Sequence, residues 1–255
     1  MIPANKVKSI CIVGGGSAGW MTAAYAMKAL PWATVTLVES PNIPTVGVGE
    51  ATLLAFDKFL DDCHIDRYLW QNAADVAAKT GILFSKWKDN KTDIWHPFFF
   101  DGMWFPKENG QQEYFARSTM GVQADLDVEE YMEFAATWHI PSVEKKQLPD
   151  LRIHDIGYHV DAIKLAKFLS SYLQEKHPTR LIHKLATVSN IVVDNNTIKS
   201  IDADHETIHA DVFIDCTGFK RLLSGAIPGS EFVTHDKMLF TNAAVAGPVK
   251  YATDN

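Results

Sequence analysis

A run of glycines between an apolar segment and a helical segment limits this chain more than any other stretch. Lys8-Ser9-Ile10-Cys11-Ile12-Val13 is short, apolar and β-branched, which predicts one buried strand. It leads directly into Gly14-Gly15-Gly16-Ser17-Ala18-Gly19, where Gly14, Gly16 and Gly19 satisfy the Gly-x-Gly-x-x-Gly spacing. An Ala- and Met-rich stretch from Trp20 to Leu30 predicts a helix, closed by Pro31. Thr34 to Val38 predicts a second strand, ending on Glu39, 20 positions after Gly19.

Each part has a chemical reason. A tight strand-to-helix turn favours residues without a Cβ, and the missing side chains let a pyrophosphate approach the backbone. The unpaired N–H groups and the positive end of the helix dipole then face the phosphate charge. Glu39, at the tip of the next strand, is placed to accept hydrogen bonds from ribose hydroxyls. Glycines alone make an ordinary turn; strand, glycines, helix, strand and acid in register point to a dinucleotide.

With 255 residues, the chain has enough length for one large or two modest domains. A net charge of −7 with no apparent basic patch argues against nucleic acid or an anionic membrane as partner. No apolar run is long enough to span a bilayer, and Met1 to Ser9 lacks the apolar core of a signal peptide. The cysteines Cys11, Cys63 and Cys216 form no Cys-x-x-Cys pair, which suits reduced core thiols in a cytoplasmic protein.

Beyond the first strand–helix–strand unit, Pro41 to Thr52 reads as a loop returning to the nucleotide, followed by a helix from Thr52 to Asp61. From about His64 to Asp155 aromatic residues crowd: Trp70, Trp87, Trp95, Trp104, Trp138, Phe98-Phe99-Phe100 and Phe105. This density fits either an aromatic pocket or the bulky core of an inserted subdomain. Tyr158 to Tyr172 predicts an amphipathic helix. Val188 to Val193, Ile198 to Ala203 and Thr207 to Asp215 read as strands, with a hairpin turn at Asn195-Asn196. The last of them runs into Cys216-Thr217-Gly218, as a strand returning to the first sheet would. An ordinary NAD domain has no need for such a meander before its late return strand.

His205-Glu206-Thr207-Ile208-His209 matches the His-Glu-x-x-His zinc pattern, which works only on a helix. The alternating neighbours here predict a strand, which separates the histidines by roughly 13 Å. No metal is expected.

Five blocks, in order, resemble the flavin-dependent tryptophan halogenase family. Gly14 to Trp20 is similar to its FAD turn, and Gly47-Val48-Gly49-Glu50-Ala51-Thr52 to its Gly-x-Gly-Glu-Ala-Thr loop. Lys79 with Gly81-Ile82, Phe84 and Trp87 resembles the segment that carries the family's catalytic lysine. Tyr158-His159-Val160-Asp161-Ala162 and Asp215-Cys216-Thr217-Gly218-Phe219 resemble two more family blocks.

The resemblance implies an α/β chain with a Rossmann-like FAD-binding fold of the PHBH/GR2 type. On this reading residues 1–62 and 156–225 form a discontinuous FAD-binding domain. Residues 63–155 form an inserted aromatic-rich substrate lobe, and 226–255 begin a second sheet. FADH2 from a partner flavin reductase, O2 and a halide (chloride, bromide or iodide) would yield hypohalous acid. Lys79 would guide that oxidant through a tunnel to an electron-rich aromatic such as tryptophan or an indole. FAD contacts fall on Gly14, Gly15, Gly16, Ser17, Ala18, Gly19, Glu39, Ser40, Ile43, Val46, Ala51 and Val188. His96 and Phe98 match the family's substrate-packing His-x-Phe pair. A homo-oligomer is compatible with this reading.

The family's Gly-Trp-x-Trp-x-Ile-Pro signature, catalytic glutamate and halide site lie further along than Asn255, so a fragment of a longer protein is expected. The competing readings are an FAD-dependent aromatic monooxygenase of the same fold and an inactive FAD-binding fragment.

Overall fold

The computed structural model describes residues 7–43, 49–53, 55–79, 81–86, 90–91, 94–97, 157–239, 241, 243 and 245. In chain order the elements begin β1 (Ser9–Val13), α1 (Ser17–Ala29), β2 (Thr34–Glu39), β3 (Gly49–Ala51), α2 (Ala55–Asp62) and α3 (Arg67–Ala73). They continue with β4 (Ala77–Lys79), β5 (Gly81–Phe84), β6 (Ile94–Pro97), β7 (Gly157–Asp161) and α4 (Ala162–Lys176). The last stretch holds β8 (Leu181–Leu185), β9 (Val188–Asp194), β10 (Thr197–Ala203), β11 (Glu206–His209) and β12 (Val212–Asp215). Two compact units result, one of residues 1–49, 62–65 and 161–255, the other of residues 50–61 and 66–160.

The first unit is built on a parallel sheet in the order β12-β1-β2-β8. Ile10 lies opposite both Val35 and Val212, so β1 is interior, and Cys11, Ile12 and Val13 are buried. A strand covered on both faces needs an unbroken apolar run, which β1 supplies from Ile10 to Val13. On one face Cys11, Val13 and Val38 pack against Ile201, Ala203, Ile208 and Leu223, so the β9–β10–β11 meander covers them. On the other lie α1, with Trp20, Ala23, Ala24 and Met27 buried, and α4, with Leu165, Leu169 and Leu173 buried; the two helices pack together.

Helix α1 is closed by a side chain from 150 residues away. The Arg180 guanidinium donates to the carbonyls of Met27, Leu30 and Ala33 at 3.2, 3.3 and 3.4 Å. These include carbonyls that a helix end leaves without partners.

The second unit holds a β3-β7-β4 sheet and a separate β5–β6 pair. Phe56, Trp70 and Tyr158 pack ring against ring, with centroids 5.1 to 6.3 Å apart. The Tyr158 hydroxyl donates to buried Asp57 Oδ1 at 2.7 Å.

Several sequence expectations shift. Gly157–Asp161 is a strand, not the start of a helix: Ala77 pairs with His159 and Ala78 with Tyr158. Asp161 then caps α4, accepting from the Lys164 N–H at 2.9 Å. The helix expected from Thr52 begins at Ala55, because Thr52 N donates to Tyr158 O at 2.7 Å and extends the β3 ladder. The run from Thr207 to Asp215 splits between two sheets. Asp211 marks the break, its Oδ2 accepting from the Lys8 and Ser9 N–H groups at 2.8 and 2.9 Å. Asn195 and Asn196 have φ of 48° and 54°, the left-handed pair expected of the hairpin turn.

Met238 N and Leu239 N both donate to His235 O, at 2.8 and 2.7 Å, and most of residues 240–255, in the stretch expected to begin a second sheet, lies outside the described residues. The aromatic residues Trp87, Phe98 to Phe100, Trp104, Phe105 and Trp138 lie outside the described residues. Among the described residues, no helix is long and apolar enough to cross a membrane.

Candidate functional site

The turn after β1 is shaped by contacts that exclude side chains. Gly14 N donates to Val38 O at 2.9 Å, while Cys216 N donates to Val13 O at 2.8 Å, so three strand ends meet there. Gly14 has φ +114°, and a Cβ on it would overlap the Cys216 carbonyl, inside the 3.0 Å that real Cβ atoms keep. A Cβ on Gly19 would overlap Gly14 O in the same way, which presses the first turn of α1 against the glycine bend. Gly16 is the N-cap of α1 and provides no side-chain cap, and the first turn carries no acidic residue. The leading N–H groups of α1 therefore keep their capacity for an anion.

Glu39 closes one side of this bend. Its Oε2 lies 3.0 Å from Nε2 of His183 on β8, and a Cβ on Gly15 would overlap its carboxyl carbon. Ser40 Oγ meets Thr187 Oγ1 at 2.8 Å, and Ala186 N donates to Glu39 O at 2.9 Å. Ser40 is thus brought beside the turn that leads into Val188, which pairs with Ala203. Ile43 is exposed on the following loop. Val46 lies outside the described residues.

On the other flank, Asp215 fixes the segment after β12. Its Oδ1 accepts from Thr217 N and Oγ1 at 3.1 and 2.6 Å, and its Oδ2 from Leu223 N and Ser224 N at 2.9 and 2.8 Å. Burial opposes ionisation, but the Ser224 and Thr217 donors outweigh it and hold this carboxyl below its ordinary range. Cys216 faces Thr22 Oγ1 at 3.8 Å, and burial raises its thiol pKa. Cys11 is buried and its thiol is pushed up to about 12.

Ala51 and the proposed reaction residues belong to the second unit. Ala51 ends β3 and is exposed. Lys79 ends β4, opposite Gly157 and half-buried. His159 stands on the same face of that sheet, and burial first, then the Lys79 cation, lowers its pKa below 6.5. His96 sits on β6, with Ile82 as its backbone partner. Phe98 lies outside the described residues. His205 is in the turn before β11 and His209 is at its end, so their spacing is that of a strand. Among the described residues, no group of three His, Cys, Asp or Glu is placed to hold a metal.

Sequence reasoning passed over His183 and Thr187. A histidine inside an apolar strand and a threonine just before the next carry no local signal; only the β2–β8 pairing brings them to Glu39 and Ser40.

The bend, the uncapped helix start and the acid that ends β2 fit a dinucleotide at the carboxyl ends of parallel strands. The family model described as tryptophan halogenase matches residues 9–254. The chain belongs to the tryptophan halogenase family. It is 32% identical to the 7-chloro-L-tryptophan 6-halogenase KtzR of Kutzneria sp. (strain 744), an alignment covering 92% of this chain and 49% of that protein. It is 30% identical to the tryptophan 7-halogenase RebH of Lentzea aerocolonigenes, covering 98% and 50%. Among solved structures, Xcc4156, a flavin-dependent halogenase from Xanthomonas campestris, superposes with a TM-score of 0.67 at 30% identity, covering 86% of this chain and 44% of that one. The chain therefore spans about half the length of the relatives it matches. The flavoprotein halogenase fold expected from the resemblance is the one found.

Proposed function

We propose that this chain is the FAD-binding part of a halogenase that acts on tryptophan or another electron-rich indole. The observation that carries this reading is the Gly14–Gly19 bend, where a Cβ on Gly14 or Gly19 would strike backbone, in a chain of this family. Gly14 to Gly19 would hold the pyrophosphate and Glu39 the ribose. Ser40, Ile43, Val46, Ala51 and Val188 would line the remainder of the cofactor. Bound as FADH2 from a separate reductase, the flavin would give its two electrons to O2, activating it so that one oxygen oxidises halide to hypohalous acid and the other leaves as water.

Lys79 would receive that oxidant. An ammonium can hydrogen-bond hypohalous acid, and a neutral amine can carry the halogen as a haloamine. His96 and Phe98 would pack against the aromatic ring and present one carbon to Lys79. A confined path keeps a reactive oxidant from other targets.

The test is incubation of the protein, and of any longer natural form, with a flavin reductase, NADH, bromide and tryptophan or indole. Monobrominated product by mass spectrometry is the expected result. Halide-independent hydroxylation would instead assign a monooxygenase. Tight flavin uptake without turnover in the full-length protein would leave only a binding role.

A further inference from the structure

The structure points to a residue that acts on the ribose end of the site through another side chain. Glu39 shares a face of β2 with Leu37, since strand residues two apart point the same way. Leu37 is the register partner of His183 on β8, so His183 stands diagonal to Glu39, within side-chain reach. Its Nε2 lies 3.0 Å from Glu39 Oε2. A carboxylate only accepts, so Nε2 is the protonated ring nitrogen. The imidazole is held in turn by Trp20 of α1, whose ring meets it edge-on at 4.9 Å and 76°. Trp20 is 1% exposed and cannot move without opening the helix–sheet core.

The Glu39 carboxylate is therefore bounded by the Gly15 backbone, by His183 and by its own strand. With side-chain exposures of 28% for Glu39 and 17% for His183, the pair is neither sealed from water nor fully washed by it. A free glutamate loses rotamer freedom when a ligand fixes it, and a hydrogen bond already in place removes much of that loss. One donor still leaves the carboxylate room to accept from the two hydroxyls of a ribose.

We propose that His183 is a positioning residue that presets Glu39 for the ribose diol of the FAD adenosine. This rests on the reading that Glu39 holds that ribose. His183 touches no part of the nucleotide; it acts through Glu39, and only on ligands that carry the diol.

The test is FAD titration, followed by flavin fluorescence, of the wild type and of His183→Leu, His183→Gln, Glu39→Ala and the Leu/Ala double variant. Urea unfolding of each variant runs alongside. His183→Leu is expected to weaken FAD by about tenfold, the scale of a charge-assisted hydrogen bond. His183→Gln keeps a donor at similar reach and is expected to restore most of that loss. In the Glu39→Ala background the leucine is expected to cost nothing further. ADP should compete better than 2′,3′-dideoxy-ADP on the wild type, and that preference should shrink in His183→Leu. If leucine destabilises the fold, His183→Asn, polar but too short to reach, supplies the same comparison. FAD affinity unchanged in the donor-less variants, or an equal loss with and without Glu39, overturns the proposal while leaving the nucleotide site standing. Absence of FAD uptake by the wild type overturns both.

Discussion

The carbonyl oxygen of Gly14 occupies the space that a Cβ on Gly19 would need. Backbone presses on backbone at this point, and neither atom can swing aside as a side-chain tip could. The contact sets how closely α1 starts to the end of β1, and so where the leading N–H groups of the helix point.

Gly14→Ala should be the most damaging single-methyl change in the first unit. It would force a residue with a Cβ to φ +114° and drive that atom into the Cys216 carbonyl. Strain of this kind costs about 3 kcal/mol, read as a lowered urea midpoint. FAD uptake should fall with it, even under conditions where the variant remains folded.

Lys79→Ala should separate binding from chemistry. Flavin uptake by the full-length protein should stay near wild type, while halogenated product falls by roughly a hundredfold or more, the scale on which a positioned proton-transfer group acts. Mass spectrometry of the product, beside a flavin titration of the same preparation, checks both halves. Undiminished product would remove Lys79 from the reaction.

Arg180→Ala should loosen the far end of α1. The guanidinium donates to three carbonyls there, and its loss takes a donor from each of these partly buried acceptors. A destabilisation of about 2 kcal/mol is expected, measured by chemical denaturation, with the start of the helix and its glycine bend unaffected.

His177 gives the same region a pH dependence. Arg180 donates to its Nδ1 at 3.3 Å, which requires that nitrogen unprotonated. Burial first, then the Arg180 and Lys176 cations, hold its pKa below the ordinary 6.5. The unfolded chain therefore binds this proton more readily than the folded one, so the stabilisation is complete above pH 6.5 and is lost as the pH falls below it. His177→Gln should flatten the fall in stability as the pH drops below 6.5. Equal slopes in both proteins would contradict this.

Local pattern was enough where one stretch of chain decides its own conformation. Val13 into Gly14, the return strand at Val212 and the Asn195-Asn196 turn are such places, because φ preference and apolar runs act over a few residues. It misled where a distant partner decides. Tyr158-His159-Val160 has apolar spacing that serves a helix or a strand, and the pairing of Ala77 and Ala78 with it selects the strand. Asp211 splits one apparent strand into two because its carboxylate binds the N–H groups of Lys8 and Ser9, some two hundred residues earlier. The site shows the same division: glycines and Glu39 are legible in order along the chain, whereas His183 and Thr187 acquire their roles only through the β2–β8 register and the turn beyond it.

The central claim, that the glycine bend and Glu39 together hold FAD, is tested most directly by equilibrium titration of the purified protein with oxidised and reduced FAD. Saturable uptake of one FAD per chain is predicted, weakened in Glu39→Ala and lost in Gly14→Ala. A folded wild-type protein that takes up neither form of the flavin would contradict it.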